Sequence, residues 1–172
     1  MKLVVVGRQA LVRVDRESRN EPRWTEVPGS FSALARLHRE GYRVVMLDVA
    51  HFIDGDPWPL EPITRVHARV LEAIRHKGGQ LEAIVMCPHA VGVACECRPP
   101  KPGLLHEIAE RLKVNLDGVP VVCEDPGLAA AASALGAVPV QLGPRRDDRR
   151  SYTDLSEFAD ALLTGTFNAA RE

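Results

Sequence analysis

Lys2-Leu3-Val4-Val5-Val6-Gly7-Arg8-Gln9 is the stretch on which the fold turns. Four consecutive apolar residues, three of them β-branched, are too few for a helical face. They stop at a glycine, so Lys2 to Val6 reads as a buried strand. Further along, Tyr42 to Leu47, Leu81 to Met86, Val119 to Val122 and Val138 to Leu142 are similar apolar runs. Between them lie stretches with helical spacing: Phe31 to His38 ending before Gly41, an amphipathic stretch closed by Gly78-Gly79, Leu104 to Leu112, Leu128 to Leu135, and Leu155 to Leu163. Ser30 is the expected N-cap of the first helix and Gly41 its expected C′ residue. Arg8 to Glu26 is charged and reads as loop, and Asp54 to Pro62 is rich in Gly and Pro. Continuous apolar strands alternating with helices predict an α/β, Rossmann-like parallel sheet with helices on both faces. Ligands of such sheets bind beyond the carboxyl ends of the strands. That singles out Gly7-Arg8-Gln9, Asp48-Val49 and Cys123-Glu124-Asp125.

The chain has 172 residues, close to one domain of about 150, so a single domain over residues 1–172 is expected. Hydrophobic residues make up 45% and charged ones 26%, which is enough apolar surface for a core. Lys plus Arg (22) nearly balance Asp plus Glu (23), leaving a net charge of −1. That balance argues against a nucleic-acid partner or an anionic membrane surface. No run approaches the about 18 apolar residues of a membrane span, and the N-terminal apolar run is short for a signal peptide. The expected location is cytoplasmic, where cysteines serve metals more often than disulfides.

Cys87-Pro88-His89 followed after five residues by Cys95-Glu96-Cys97 supplies three thiolates and an imidazole within one short loop. A Cys3His set fills a tetrahedral zinc with no open position, so the predicted metal is a structural zinc held by Cys87, His89, Cys95 and Cys97, with residues 87–97 as a zinc-binding insertion. The competing reading is free buried cysteines beside a surface histidine. Cys123 reads as a small buried hydrophobe. His106-Glu107 lacks the second histidine of a zincin, there is no Walker loop and no GxGxxG, and Arg145 to Arg150, interleaved with Asp147 and Asp148, reads as a solvated loop rather than a phosphate clamp. Trp24 and Trp58 are candidates for an interface or for packing over the strand ends.

The loop and its continuation, Cys95-Glu96-Cys97-Arg98-Pro99-Pro100-Lys101-Pro102-Gly103, resemble the CPH…CxCRKPxPGM segment of the D-glycero-D-manno-heptose 1,7-bisphosphate 7-phosphatases, in the histidinol-phosphatase branch of the haloacid dehalogenase superfamily. Trp24 to Ser30, Gly41 to Val45, Gly118 to Val122 and Asp154 to Leu163 extend the likeness over nearly the whole chain. The resemblance implies a phosphatase with a nucleophilic aspartate after the first strand and an acid/base aspartate two residues on. Here those positions hold Gly7 and Gln9, and only Arg8 survives from that motif. The phosphate-binding Thr-Asn is replaced by Asp48-Val49, the lysine after Arg98 by Pro99 with Lys101 two residues on, and the magnesium-binding acidic pair by Glu124 and Leu128. Arg8, Arg98 and Lys101 remain as substrate-binding candidates, and magnesium is unsupported by its ligand positions.

Phosphoryl transfer depends on positioned charge and metal, so four damaged motifs in an intact framework predict an inactive family member kept for binding a sugar phosphate or a protein partner. The alternative is an active sugar-phosphate phosphatase, or an altered hydrolase using Asp48, Glu124 and Asp125. A third class is an interaction module presented by the zinc loop.

Overall fold

The structure is a computed structural model that describes residues 2–15, 22–49, 60–90, 92–144 and 150–168. Its central strand, β1 (Leu3–Gly7), pairs in parallel with β4 (Arg43–Val49) on one side and β6 (Pro120–Cys123) on the other. Outside β4 lies β5 (Ala83–Cys87). Outside β6 lie β7 (Val138–Leu142) and the two-residue β8 (Ser151–Tyr152), giving the all-parallel order β5-β4-β1-β6-β7-β8. The sheet is covered on both faces, which is why its strands are apolar without alternation.

Val4 and Val6 face one core with Leu34 and Leu37 of α1 (Ser30–Arg39), Val70 and Ile74 of α2 (Leu60–His76), and Phe158 of α5 (Leu155–Leu163). Leu3 and Val5 face the other core with Leu105 and Ile108 of α3 (Gly103–Leu112) and Ala131 and Ala132 of α4 (Pro126–Ala134). Each such Val or Leu contributes about 1.5–3 kcal/mol when fully buried. The expected Rossmann-like α/β sheet is therefore the observed one.

Three expectations need correction. Arg8 to Glu26 is not simply loop: Arg8–Ala10 form a 3-10 turn, and β2 (Val12–Val14) pairs antiparallel with β3 (Trp24–Glu26) as a hairpin. Ser30 is not the N-cap of α1. Its hydroxyl donates to the Leu11 carbonyl at 2.9 Å, Gly29 takes the cap position at φ 79°, and the Glu26 carboxylate accepts from the Phe31 amide at 3.1 Å. Gly41, at φ 78°, does follow the helix as expected. Pro62 lies inside α2 rather than before it, in the first turn, where its missing N–H has no helical partner to lose. Residues 50–59 with Trp58, and 145–149 with Asp147 and Asp148, lie outside the described residues. Trp24 packs its ring 6.0 Å from Phe31 against the first core.

Candidate functional site

The parallel register sets Gly7 beside Leu47, so the chain leaving β1 passes the end of β4. The 3-10 turn brings Arg8 round, and its Nε donates to Asp48 Oδ1 at 2.8 Å while Nη1 donates to the Val12 carbonyl at 3.3 Å. His67 reaches the other carboxylate oxygen from α2, Nε2 to Oδ2 at 2.7 Å. The side chains are buried: 13% exposed for Arg8, 6% for Asp48 and 11% for His67.

Burial by itself would raise the Asp48 pKa. The His67 hydrogen bond and the Arg8 charge outweigh it and hold the carboxyl below its ordinary range. An ionised carboxylate only accepts, so His67 presents Nε2–H to it. Because the folded pKa lies below the unfolded value, the stability that Asp48 contributes is complete above about pH 4 and drains as the pH falls through the folded pKa. Urea unfolding of the parent should weaken more steeply below pH 4 than that of Asp48→Asn, which has no such proton to take up.

Gly7 has ordinary extended geometry, φ −63° and ψ 140°. A Cβ there would lie 3.3 Å from the Val122 carbonyl oxygen and 3.7 Å from Leu128 Cδ2, so Leu128 bounds the space a longer side chain would enter. Gly7, Arg8, Gln9, Asp48, Glu124 and Leu128 help line a half-open cleft with about 30 Å3 of space, room for about two water molecules.

The other two carboxylates on this pocket are engaged. Glu124 forms a two-pronged pair with Arg13 of β2, at 3.0 and 3.2 Å, tying the hairpin to the end of β6. Asp125 caps α4, accepting from the Gly127 and Leu128 amides at 3.1 and 3.3 Å, so it does what a residue before a helix commonly does.

One strand over, Val49 pairs with Cys87, where the metal loop begins. One ligand atom from each of Cys87, His89, Cys95 and Cys97 lies within 4.8 Å of the others, with His89 Nδ1 3.0 Å from Cys97 Sγ and 3.7 Å from Cys87 Sγ, and Cys87 Sγ 3.9 Å from Cys95 Sγ. Zinc with bonds of about 2.3 Å to sulfur and 2.0–2.1 Å to nitrogen places tetrahedral ligands about 3.5–3.8 Å apart. The observed separations, which include 3.1 Å between Cys97 Sγ and Cys87 Sγ, bracket that spacing, so the four residues could hold a metal ion, and among the described residues this is the one such Cys/His/carboxylate group. Burial, reinforced by the neighbouring Cys87 and Cys95, pushes the Cys97 thiol up to about 12, a cost that a bound cation would remove.

The loop is closed by backbone contact. Gly103 N donates to the Glu96 carbonyl at 3.0 Å, and a Cβ on Gly103 would fall 2.2 Å from that oxygen. Arg98 donates through Nη2 to the His89 carbonyl, while Lys101 pairs with Glu96 at 2.6 Å on the surface. Neither Arg98 nor Lys101 is among the residues lining the pocket, and Pro99 is not either. Cys123 is buried, its thiol pushed up to about 11 by burial, in keeping with an inert side chain.

Sequence reading missed His67 and Arg13. His67 falls between Val66 and Val70 on the buried stripe of α2, and a polar residue there was the available signal. Arg13 carries no signal of its own, since only the hairpin brings it to Glu124.

The chain is 34% identical over 151 residues, 87% of its length and 86% of the relative's, to the D-glycero-β-D-manno-heptose-1,7-bisphosphate 7-phosphatase of Pseudomonas putida. The chain belongs to this phosphatase family. The fold is also that of a haloacid dehalogenase-like phosphatase of Mesorhizobium loti, at TM-score 0.78 with 22% identity over 100% of this chain and 88% of that one. Solved family structures agree with the fold. The D,D-heptose 1,7-bisphosphate phosphatase of Bordetella bronchiseptica, complexed with magnesium and phosphate, matches at TM-score 0.81 with 30% identity over 96% of this chain and 99% of that one. The enzyme of Burkholderia thailandensis matches at 0.71 with 26% identity over 95% and 99%. No protein-family model matches the chain. No helix among the described residues is long and apolar enough to cross a membrane. Within the heptose bisphosphate phosphatase family, then, this member carries Gly7 at the end of its central strand, with Arg8 bonded to an aspartate of its own.

Proposed function

We propose that this chain is a non-hydrolytic member of the heptose bisphosphate phosphatase family, a zinc-tied α/β scaffold retained for ligand or partner binding. The observation that carries the reading is the end of β1: Gly7 offers no nucleophile, and Leu128 borders the space above it. A phosphoaspartate needs a carboxylate there, and a leaving group needs a proton donor that Gln9 does not supply. Magnesium does not fit the same edge either, because Leu128 is apolar and Glu124 is held by Arg13. The altered-hydrolase reading meets the same objection, since Asp48, Glu124 and Asp125 each already have partners.

The test is phosphate release from heptose 1,7-bisphosphate and a panel of sugar phosphates, with magnesium present and zinc content measured on the same sample. The expected rate is no greater than that of Glu124→Ala. Turnover that exceeds this variant's and follows the protein through purification overturns the reading. Gly7→Asp should not create activity. It should instead cost about 1–3 kcal/mol by crowding the Val122 carbonyl and Leu128, measured as a lower urea midpoint.

A further inference from the structure

We propose that Asp48 is a built-in anion, its carboxylate filling a seat of two N–H donors, Arg8 Nε and His67 Nε2, that takes a free oxyanion of the phosphate class once the carboxylate is removed. The inference rests on the non-hydrolytic reading and deepens it, since a self-occupied seat excludes phosphate from the native chain. Both donors converge on one carboxylate, at 2.8 and 2.7 Å. They come from separate elements, the turn after β1 and the helix α2, so the fold rather than Asp48 sets their separation. Arg8 is also anchored to the Val12 carbonyl, and both side chains are largely buried, so the donors have little water to turn to. Buried donors left without an acceptor are costly, and an incoming oxyanion satisfies them with charge-assisted hydrogen bonds. The cavity beside Arg8 and Asp48 adds about 30 Å3 to the volume that the carboxylate would vacate. Glu124 and Asp125 do not compete for the seat, being held by Arg13 and the amides of α4.

The experiment melts the parent and Asp48→Ser in chloride buffer and in saturating inorganic phosphate. Asp48→Ser should melt below the parent in chloride, then gain about 4 °C or more over the parent's own response to phosphate. Adding Arg8→Gln to Asp48→Ser should abolish that gain. Equal responses of parent and Asp48→Ser overturn the proposal, as does an Asp48→Ser chain that stays unfolded in both buffers. Calorimetric titration of the parent with phosphate is the second arm. No binding is expected, and binding that Arg8→Gln removes would show that the seat is open and overturn the proposal. Phosphate release by the parent would sink the non-hydrolytic reading, whereas failure of the Asp48→Ser response sinks only this inference.

Discussion

An Arg8→Met variant is expected to lose about 3–5 kcal/mol of stability, the usual cost of removing one partner from a buried charge set. For a chain of this size that is a fall in Tm of about 10 °C. Asp48 is 6% exposed, so its carboxylate cannot turn to water when the guanidinium goes. His67 alone would then hold it, and the Val12 carbonyl would also lose a donor. Replacing all three members, Arg8→Met with Asp48→Leu and His67→Leu, should recover much of the loss, because an apolar set of similar volume has no charge to desolvate. Urea unfolding of the two variants decides the matter. A single-variant cost below about 1 kcal/mol, the range of an exposed pair, would mean that the charges are not buried in solution. The exposed Arg13–Glu124 pair is the internal control: Arg13→Ala should cost less than about 1 kcal/mol.

Removal of the proposed zinc is expected to have the second large effect. The protein should purify with one equivalent of zinc, and stripping it with a chelator, or substituting Cys97→Ser, should lower stability by about 3 kcal/mol. That figure is what closing a loop of eleven residues removes from the unfolded chain's entropy. It is far below the about 10–16 kcal/mol of zinc-finger peptides, because here two hydrophobic cores stand beside the metal loop. Cys95 and Cys97 pack against the second of those cores, so stripping should also make residues 87–97 sensitive to protease before the rest unfolds. Metal binding must displace protons from the thiols, so zinc occupancy should fall as the pH is lowered. Metal content by elemental analysis across pH checks this, and a protein that is zinc-free as purified and equally stable would refute it.

What could be read before any coordinates was whatever the chain states locally. β1, β4, β6 and β7 are apolar runs because both their faces are covered, so a few residues suffice to reveal each. The Cys/His group that could hold a metal was readable because its four residues fall within eleven positions. Gly7 and Gln9, on which the proposed loss of hydrolysis rests, were readable as well, since they are identities rather than geometries. The hairpin was not: β2 and β3 are three residues each, half exposed, and mixed with charge, so no run of apolar residues marks them.

Asp48 shows where local reading ends. From its type alone it is a carboxylate that repels phosphate, and Arg8 is a cation free to bind it. Only the parallel register of β1 with β4, and the packing of α2 across that face, bring positions 8, 48 and 67 into one buried set in which each satisfies the others. Glu124 and Asp125 likewise became a latch for the hairpin and a helix cap once their partners were in place. The sequence by itself determined the fold class, the candidate metal-ligand set and the residues at the end of β1, because burial period, ligand spacing and residue identity are written along the chain. The tertiary structure alone decided which charges remain free, because pairing depends on distances between residues far apart in sequence and on the low-dielectric surroundings that make an unpaired charge so costly.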